Sequence, residues 1–272
     1  MPIARLPDVD IAYEVIGRGP PLLLVSGLGG AAGYWNPQRE ALSERFTVIL
    51  HDHRGTGRSG RPANYSVDLM AADVVGLMDH LGVEKAHFVG HSTGGAIGQV
   101  IAIEHPDRLA SMVQFASWTT ADDHFRWCFD IRKTLLLSAG VRAYIHATPL
   151  FLTPPWFIRD NAERLRREED AAVQAAAPAE ILAARIDAIL AFDRTAQLSR
   201  IRVPTMVLCA RDDILTPPHF SEALARHIPG AELVWMEQGG HGCSQVLPQE
   251  FNATVLAFLD RQQASAKLRA FG

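Results

Sequence analysis

The 272-residue sequence predicts an α/β fold, with a mostly parallel central sheet, flanking helices and a helical cap. Three observations lead there. Short apolar runs alternate with helix-period segments over the first 117 residues and again from 196. The alternation stops between 118 and 195, where helix signals follow one another with no strand between them. At 88–95, Phe-Val-Gly-His-Ser-Thr-Gly-Gly reads as a buried strand, a tight turn and a helix, with Ser92 at the apex. The expected organisation is therefore a core in two parts, 1–117 and 196–272, with a cap at 118–195.

Taken in order, residues 3–6 and 11–15 alternate as a hairpin does, around Pro7-Asp8-Val9-Asp10. Residues 22–25 are continuously apolar, as suits a strand covered on both faces. They end at Ser26-Gly27-Leu28-Gly29-Gly30, whose backbone N–H groups could face a ligand. A short helix is expected at 36–43, opened by Pro37. A strand at 46–50 runs into Asp52-His53-Arg54-Gly55-Thr56-Gly57-Arg58-Ser59, where glycine turns and an internal Asp–Arg pair are expected. Ser66 caps a helix carrying Met70, Val74, Val75, Met78 and Leu81 on one face, and Gly82 stops it. Strands follow at 86–89, 112–115, 205–209 and 232–236, and helices at 94–104, 220–227 and 251–259. The polar tail from Gln262 is expected to fray.

In the cap, helices are expected at 122–138, 141–146, 155–175 and 179–192, punctuated by Gly140, Pro149, Pro154 and Pro178. Three of the five tryptophans lie here, and Trp118, Trp127 and Trp156 are candidate substrate contacts. Such an insertion covers the carboxyl ends of the strands, where open α/β sheets bind ligands.

Composition narrows the class. The chain is 48% hydrophobic and 21% charged, with a net charge of −4 and both signs interspersed. That disfavours nucleic acid and anionic membranes as partners and leaves a small-molecule substrate, with a homodimer compatible. Cys128, Cys209 and Cys243 are far apart in sequence and suit a reducing compartment. Residues 1–5 lack a signal peptide's apolar core, and no apolar run looks long enough to span a bilayer. A cytoplasmic location is expected.

The chemistry centres on Ser92. Gly90-His91-Ser92-Thr93-Gly94 is a G-x-S-x-G pattern, in which glycines two before and two after the serine allow the chain to pass close to its neighbours. A serine hydroxyl needs a base to take its proton, and the base needs an acid to orient it. In the order serine, acid, histidine, the partners are Asp213, after the strand at 205–209, and His241, in a glycine-rich loop after the last strand. Asp212 competes with Asp213 for the acid role.

Together these motifs resemble the α/β-hydrolase superfamily over nearly the whole chain. The resemblance implies an oxyanion hole from the Leu28 and Thr93 N–H groups, with Ser26 where that family usually begins its loop with histidine. It favours Asp213 over Asp212, because the family's acid stands four residues before a proline. It implies no metal and no organic cofactor.

A closer resemblance rests on Tyr34-Trp35-Asn36-Pro37-Gln38, Tyr65-Ser66, Cys128-Phe129, Pro149-Leu150-Phe151-Leu152, Cys209 with Asp212-Asp213, and Gly240-His241-Gly242-Cys243. These are similar to the aminoacrylate hydrolases of Rut pyrimidine degradation. The reading expected first is a serine hydrolase cleaving a small carboxylic ester through an acyl-enzyme. The rivals are a Rut-type aminoacrylate or carbamate hydrolase, an enol-lactonase or C–C hydrolase, and a ligand-binding relative with negligible turnover. A haloalkane dehalogenase is disfavoured, because its nucleophile is a carboxylate where Ser92 stands.

Overall fold

The computed structural model describes the backbone of residues 1–270 and the side chains of residues 1–265. Eight strands form one sheet: β1 (Ile3–Arg5), β2 (Asp10–Ile16), β3 (Pro21–Val25), β4 (Thr47–His51), β5 (Ala86–His91), β6 (Leu109–Phe115), β7 (Thr205–Ala210) and β8 (Glu232–Met236). Their spatial order is β1-β2-β4-β3-β5-β6-β7-β8. β1 and β2 pair antiparallel, as does β2 with β4, and every other pair is parallel. The strand order reverses between β3 and β5, which opens the crevice where doubly wound sheets place their ligands. Ser92 follows β5 directly.

The helices are α1 (Asn36–Ser43), α2 (Val67–His80), α3 (Thr93–Glu104), α4 (Asp123–Leu152), α5 (Pro155–Asp160), α6 (Ala162–Ala175), α7 (Ala179–Leu190), α8 (Pro218–His227), α9 (Cys243–Val246) and α10 (Pro248–Ala270). Two apolar clusters lie on the two faces of the sheet. One joins β3 and β5 to α2, α3 and α8 through Leu23, Phe88, Val74, Ile97 and Leu224. The other joins the same strands to α1 and α10 through Leu24, Val89, Leu42, Phe251 and Val255. Adjacent residues Phe88 and Val89 thus feed opposite cores, which is why both are apolar. Ser66 accepts the Leu69 N–H at 3.0 Å and caps α2, and Gly82, at φ 65°, ends it.

Several local expectations change. Residues 123–152 form one helical element broken at Gly140, where φ 87° and ψ 175° lie outside the helical region. The second half continues past Pro149, which the sequence suggested as a stop, because a proline, lacking an N–H, removes only its own i→i−4 hydrogen bond from the helix. α4 is also long and apolar enough by composition to cross a membrane, against the sequence expectation. Its break at Gly140 and its buried Arg132 set it apart from a straight spanning segment. The last helix runs on to Ala270 instead of stopping near Leu259, since residues 260–270 contain neither proline nor glycine.

In the loop after β4, Arg54 does not pair with Asp52. Its guanidinium makes a bidentate, buried pair with Asp73 of α2, both bonds at 2.6 Å. Asp52 instead accepts the Ala32 and Arg58 N–H groups, at 2.9 and 3.1 Å. Gly57 (φ 54°) makes room for it, because a Cβ there would stand 2.2 Å from Asp52 Oδ2.

Candidate active site

Ser92 sits at φ 52° and ψ −112°, a conformation costly for a residue with a side chain. Its neighbours hold it there. The Ser92 N–H donates to the Phe115 carbonyl at 2.7 Å, and its own carbonyl accepts from Ser117 Oγ, Gly95 N–H and Ala96 N–H. The flanking glycines are sterically required: a Cβ on Gly90 would lie 2.3 Å from the Gly94 carbonyl oxygen, and one on Gly94 only 2.1 Å from that of Val25. Thr93 begins α3, so its N–H belongs to the first turn, where no carbonyl of the helix can take it. Ala116, the other non-glycine residue at positive φ among those described, immediately follows the neighbouring strand β6.

His241 follows β8 in a loop shaped by Gly239 (φ 126°) and Gly240 (φ 65°). Its ring lies 4.8 Å from that of His91, the residue before Ser92, and its Nδ1 lies 2.9 Å from Asp213 Oδ2. Asp213 is 2% exposed and faces four donors: the Leu215 and Thr216 N–H groups at Oδ1, and Thr216 Oγ1 and His241 Nδ1 at Oδ2. That is a full complement for an ionised carboxylate, with no arginine involved. Asp212 points elsewhere. It accepts the Gly239 and Gly240 N–H groups at 3.2 and 2.8 Å and so braces the histidine loop.

Leu28 lies in a turn closed by the Gly30 N–H on the Gly27 carbonyl at 2.9 Å. A Cβ on Gly27 would stand 3.2 Å from Ser92 Cβ, so this turn abuts the serine. The helices α4 to α7 all fall between β6 and β7 and reach the same region. The Leu152 carbonyl, at the end of α4, accepts the Gly242 N–H at 2.7 Å, directly beside His241.

The three tryptophans do not converge. Trp118 is wholly buried, its ring 4.8 Å from Phe125 and 6.0 Å from Phe192. Trp127 is 70% exposed on α4, and Trp156 is half-buried, edge-on to Phe157.

Sequence reasoning passed over three contributors. Thr216 Oγ1 lies 2.8 Å from Asp213 Oδ2, 3.1 Å from His241 Nδ1 and 3.1 Å from the Ala116 carbonyl, and so sits between the pair and the residue that follows β6. Its signal was its place three residues after Asp213. His91 stacks on Tyr34 at 4.6 Å, and its Nε2 donates to the His241 carbonyl at 3.1 Å. Burial, helped by His241, holds the His91 ring well below the usual histidine range, so it stays neutral. Behind it, Tyr34 Oη and Ser244 Oγ share a 2.8 Å hydrogen bond, and burial drives that phenol well above its ordinary value. The third is Arg185 of α7, which donates to the Leu28 carbonyl at 2.8 Å.

The family described as "alpha/beta hydrolase fold" matches residues 20–243. This chain belongs to it. The match spans the Leu28 turn, the Ser92 elbow, Asp213 and His241 together. Among curated relatives, "Putative carbamate hydrolase RutD" of Azorhizobium caulinodans is 44% identical over 259 residues, covering 95% of this chain and 98% of that protein. Among solved structures, a hydrolase from Pseudomonas aeruginosa PA01 is 30% identical, with a TM-score of 0.86 over 95% of this chain and 97% of that one. The enol-lactonase from Burkholderia xenovorans LB400 is 27% identical, with a TM-score of 0.88 over 95% of this chain and all of that one. The chain is thus an α/β-hydrolase that resembles the Rut enzymes, and a hydrolase by family.

Proposed function

We propose that this chain hydrolyses a small carbamate or a closely related acyl substrate, with Ser92 as nucleophile, His241 as base and Asp213 as the orienting acid. The single observation that carries the chemistry is the buried 2.9 Å contact between His241 Nδ1 and Asp213 Oδ2, beside a serine held at positive φ. The carbamate rests on the name borne by relatives 44–45% identical over more than nine-tenths of the chain. Cleavage of a small ester or enol-lactone is the second reading, favoured by the likeness to the Burkholderia enzyme.

The mechanism follows from the parts. With Nδ1 donating to Asp213, the lone pair of His241 is on Nε2, where it can take the Ser92 proton. The serine oxygen attacks the acyl carbon, and the Leu28 and Thr93 N–H groups receive the developing oxyanion. His241 then protonates the leaving amine or alcohol and next deprotonates water for deacylation. The α4–α7 insert acts as the lid over this site, which would exclude bulk water during the acyl-enzyme stage. Three free cysteines suit a protein of the reducing cytoplasm.

The test is covalent labelling. A fluorophosphonate should modify Ser92 in the wild type and leave Ser92→Ala unmodified. Ser92→Ala should also lose at least about 10³ in kcat on nitrophenyl esters and small carbamates. Turnover of either class undiminished in that variant would remove Ser92 from the nucleophile role.

A further inference from the structure

One buried side chain links the insert to the Leu28 turn, and none of the steps above uses it. Arg185 of α7 has no exposed surface. Its Nη1 donates to the Arg54 carbonyl at 2.6 Å and its Nη2 to the Leu28 carbonyl at 2.8 Å, with His53 Nδ1 3.3 Å away. Among the described residues, no carboxylate pairs with it. Burial brings its pKa down to about 10, so it remains a cation at neutral pH. A charge this deeply buried is costly unless acceptors replace its water. Here the acceptors are backbone carbonyls of the two loops at the carboxyl edge of the sheet. Glycine makes the space: a Cβ on Gly30 (φ 71°) would lie 2.7 Å from Arg185 Nη2. Both terminal nitrogens are engaged on the backbone, and Nε is buried without a partner among the described residues, so the guanidinium's hydrogen bonds go to the loops.

The Leu28 N–H belongs to the Gly27–Leu28 peptide unit, and the adjoining Leu28–Gly29 unit constrains it through the φ and ψ of Leu28. The Gly27–Leu28 unit is held by the Gly30 N–H on the Gly27 carbonyl. The Leu28–Gly29 unit has its carbonyl on Arg185, while the space around Gly29 is open, with nothing within 4 Å of a Cβ built there. We propose that Arg185 is a positioning residue: by gripping the Leu28 carbonyl from the insert it aims the Leu28 N–H at the Ser92 oxyanion, so the oxyanion hole is complete only when the insert is seated on the sheet. This inference rests on the serine-hydrolase reading above. It makes the insert a part of the catalytic apparatus as well as a cover.

The experiment compares wild type, Arg185→Lys, Arg185→Gln and Ile186→Ala, each checked for folding by circular dichroism and Tm. Ile186 is equally buried on the same helix but lies in the apolar cluster, so its variant reports destabilisation alone. Four quantities are read: kcat, KM, the rate constant of fluorophosphonate labelling, and the affinity for an arylboronic acid, whose serine adduct fills the oxyanion hole. Arg185→Gln should lose roughly 10- to 100-fold in kcat and in labelling rate with KM within about 2-fold, and boronate affinity should fall in step. Arg185→Lys, which can still reach one carbonyl, should retain more of each. Ile186→Ala should lower Tm and keep the wild-type rate constants. Unchanged labelling in a folded Arg185 variant, a change in KM alone, or an equal kcat loss in Ile186→Ala would overturn the inference. A wild type that the fluorophosphonate does not label at Ser92 would instead bring down the nucleophile assignment itself.

Discussion

Among single residues, the division of labour between Asp212 and Asp213 is the sharpest case. The two carboxylates are chain neighbours of identical chemistry, yet one meets the His241 ring and the other meets two loop amides. Asp213→Asn should lower kcat by about 10⁴, because an amide NH₂ beside Nδ1 favours the wrong imidazole tautomer. Asp212→Asn keeps an acceptor for the glycine amides and should cost no more than about 10-fold, through looser placement of the loop. The comparison needs only kcat for the two purified variants on one ester, and the opposite ranking would reassign the acid. The same residue logic explains the glycines at 90 and 94: the Cβ contacts near 2 Å are with backbone, which cannot swing aside.

Among elements, α4 is broken by a residue outside the helical region. Gly140 divides it at φ 87° and ψ 175°, a backbone region open essentially to glycine alone. A Cβ built there meets nothing within 4 Å, so the effect of a substitution comes from the dihedral angles and not from a clash. Gly140→Ala should therefore destabilise the protein by about 1–3 kcal/mol, read from urea denaturation. No loss of stability would mean that the break is not held in the folded protein. The first half of α4 is tied down differently. Arg132 is buried with its guanidinium 5.0–5.5 Å from the ring centres of Phe129, Tyr144 and Phe151, and it donates to Tyr144 Oη at 3.0 Å. That cation–π cluster joins the two halves across the break.

Across the whole molecule, several histidines are buried in the neutral form, and this sets the response to acid. Burial first, then the Arg185 charge, pushes His51 down to about 4, and His53, stacked on it at 5.1 Å, is held well below the ordinary value by burial first, then by His51 and by Arg185. An unfolded chain takes up these protons near pH 6.5 while the folded one refuses them. The unfolded state then binds more protons, so stability is full above about pH 6.5 and is lost as the pH falls toward 4. For His51 alone the loss between those limits is about 3 kcal/mol. Denaturant melts at pH 7 and pH 4.5 should show it, and His51→Gln should flatten the difference. An equal slope in that variant would place the acid sensitivity elsewhere.

The sequence alone determined the alternation of elements, the parallel sheet and Ser92 as its focus. These follow from local physics: apolar period, turn residues and glycine sterics act within a few residues of one another. The order serine, aspartate, histidine was legible for the same reason, each lying just after a strand-like run. Other features depend on which loops the fold brings side by side, and no local pattern encodes that. Tertiary structure alone sends Arg54 to Asp73, 19 residues on, instead of to Asp52, two residues away. It alone turns Asp213 inward and Asp212 toward the glycines, because adjacent residues of one turn project in different directions. It buries Trp118 while leaving Trp127 in solvent, although both looked alike as aromatic residues of the insert. It also carries Arg185 across 157 residues to the Leu28 carbonyl, where a cation that reads in sequence as one more charge on a helix becomes a donor to the backbone beside Ser92.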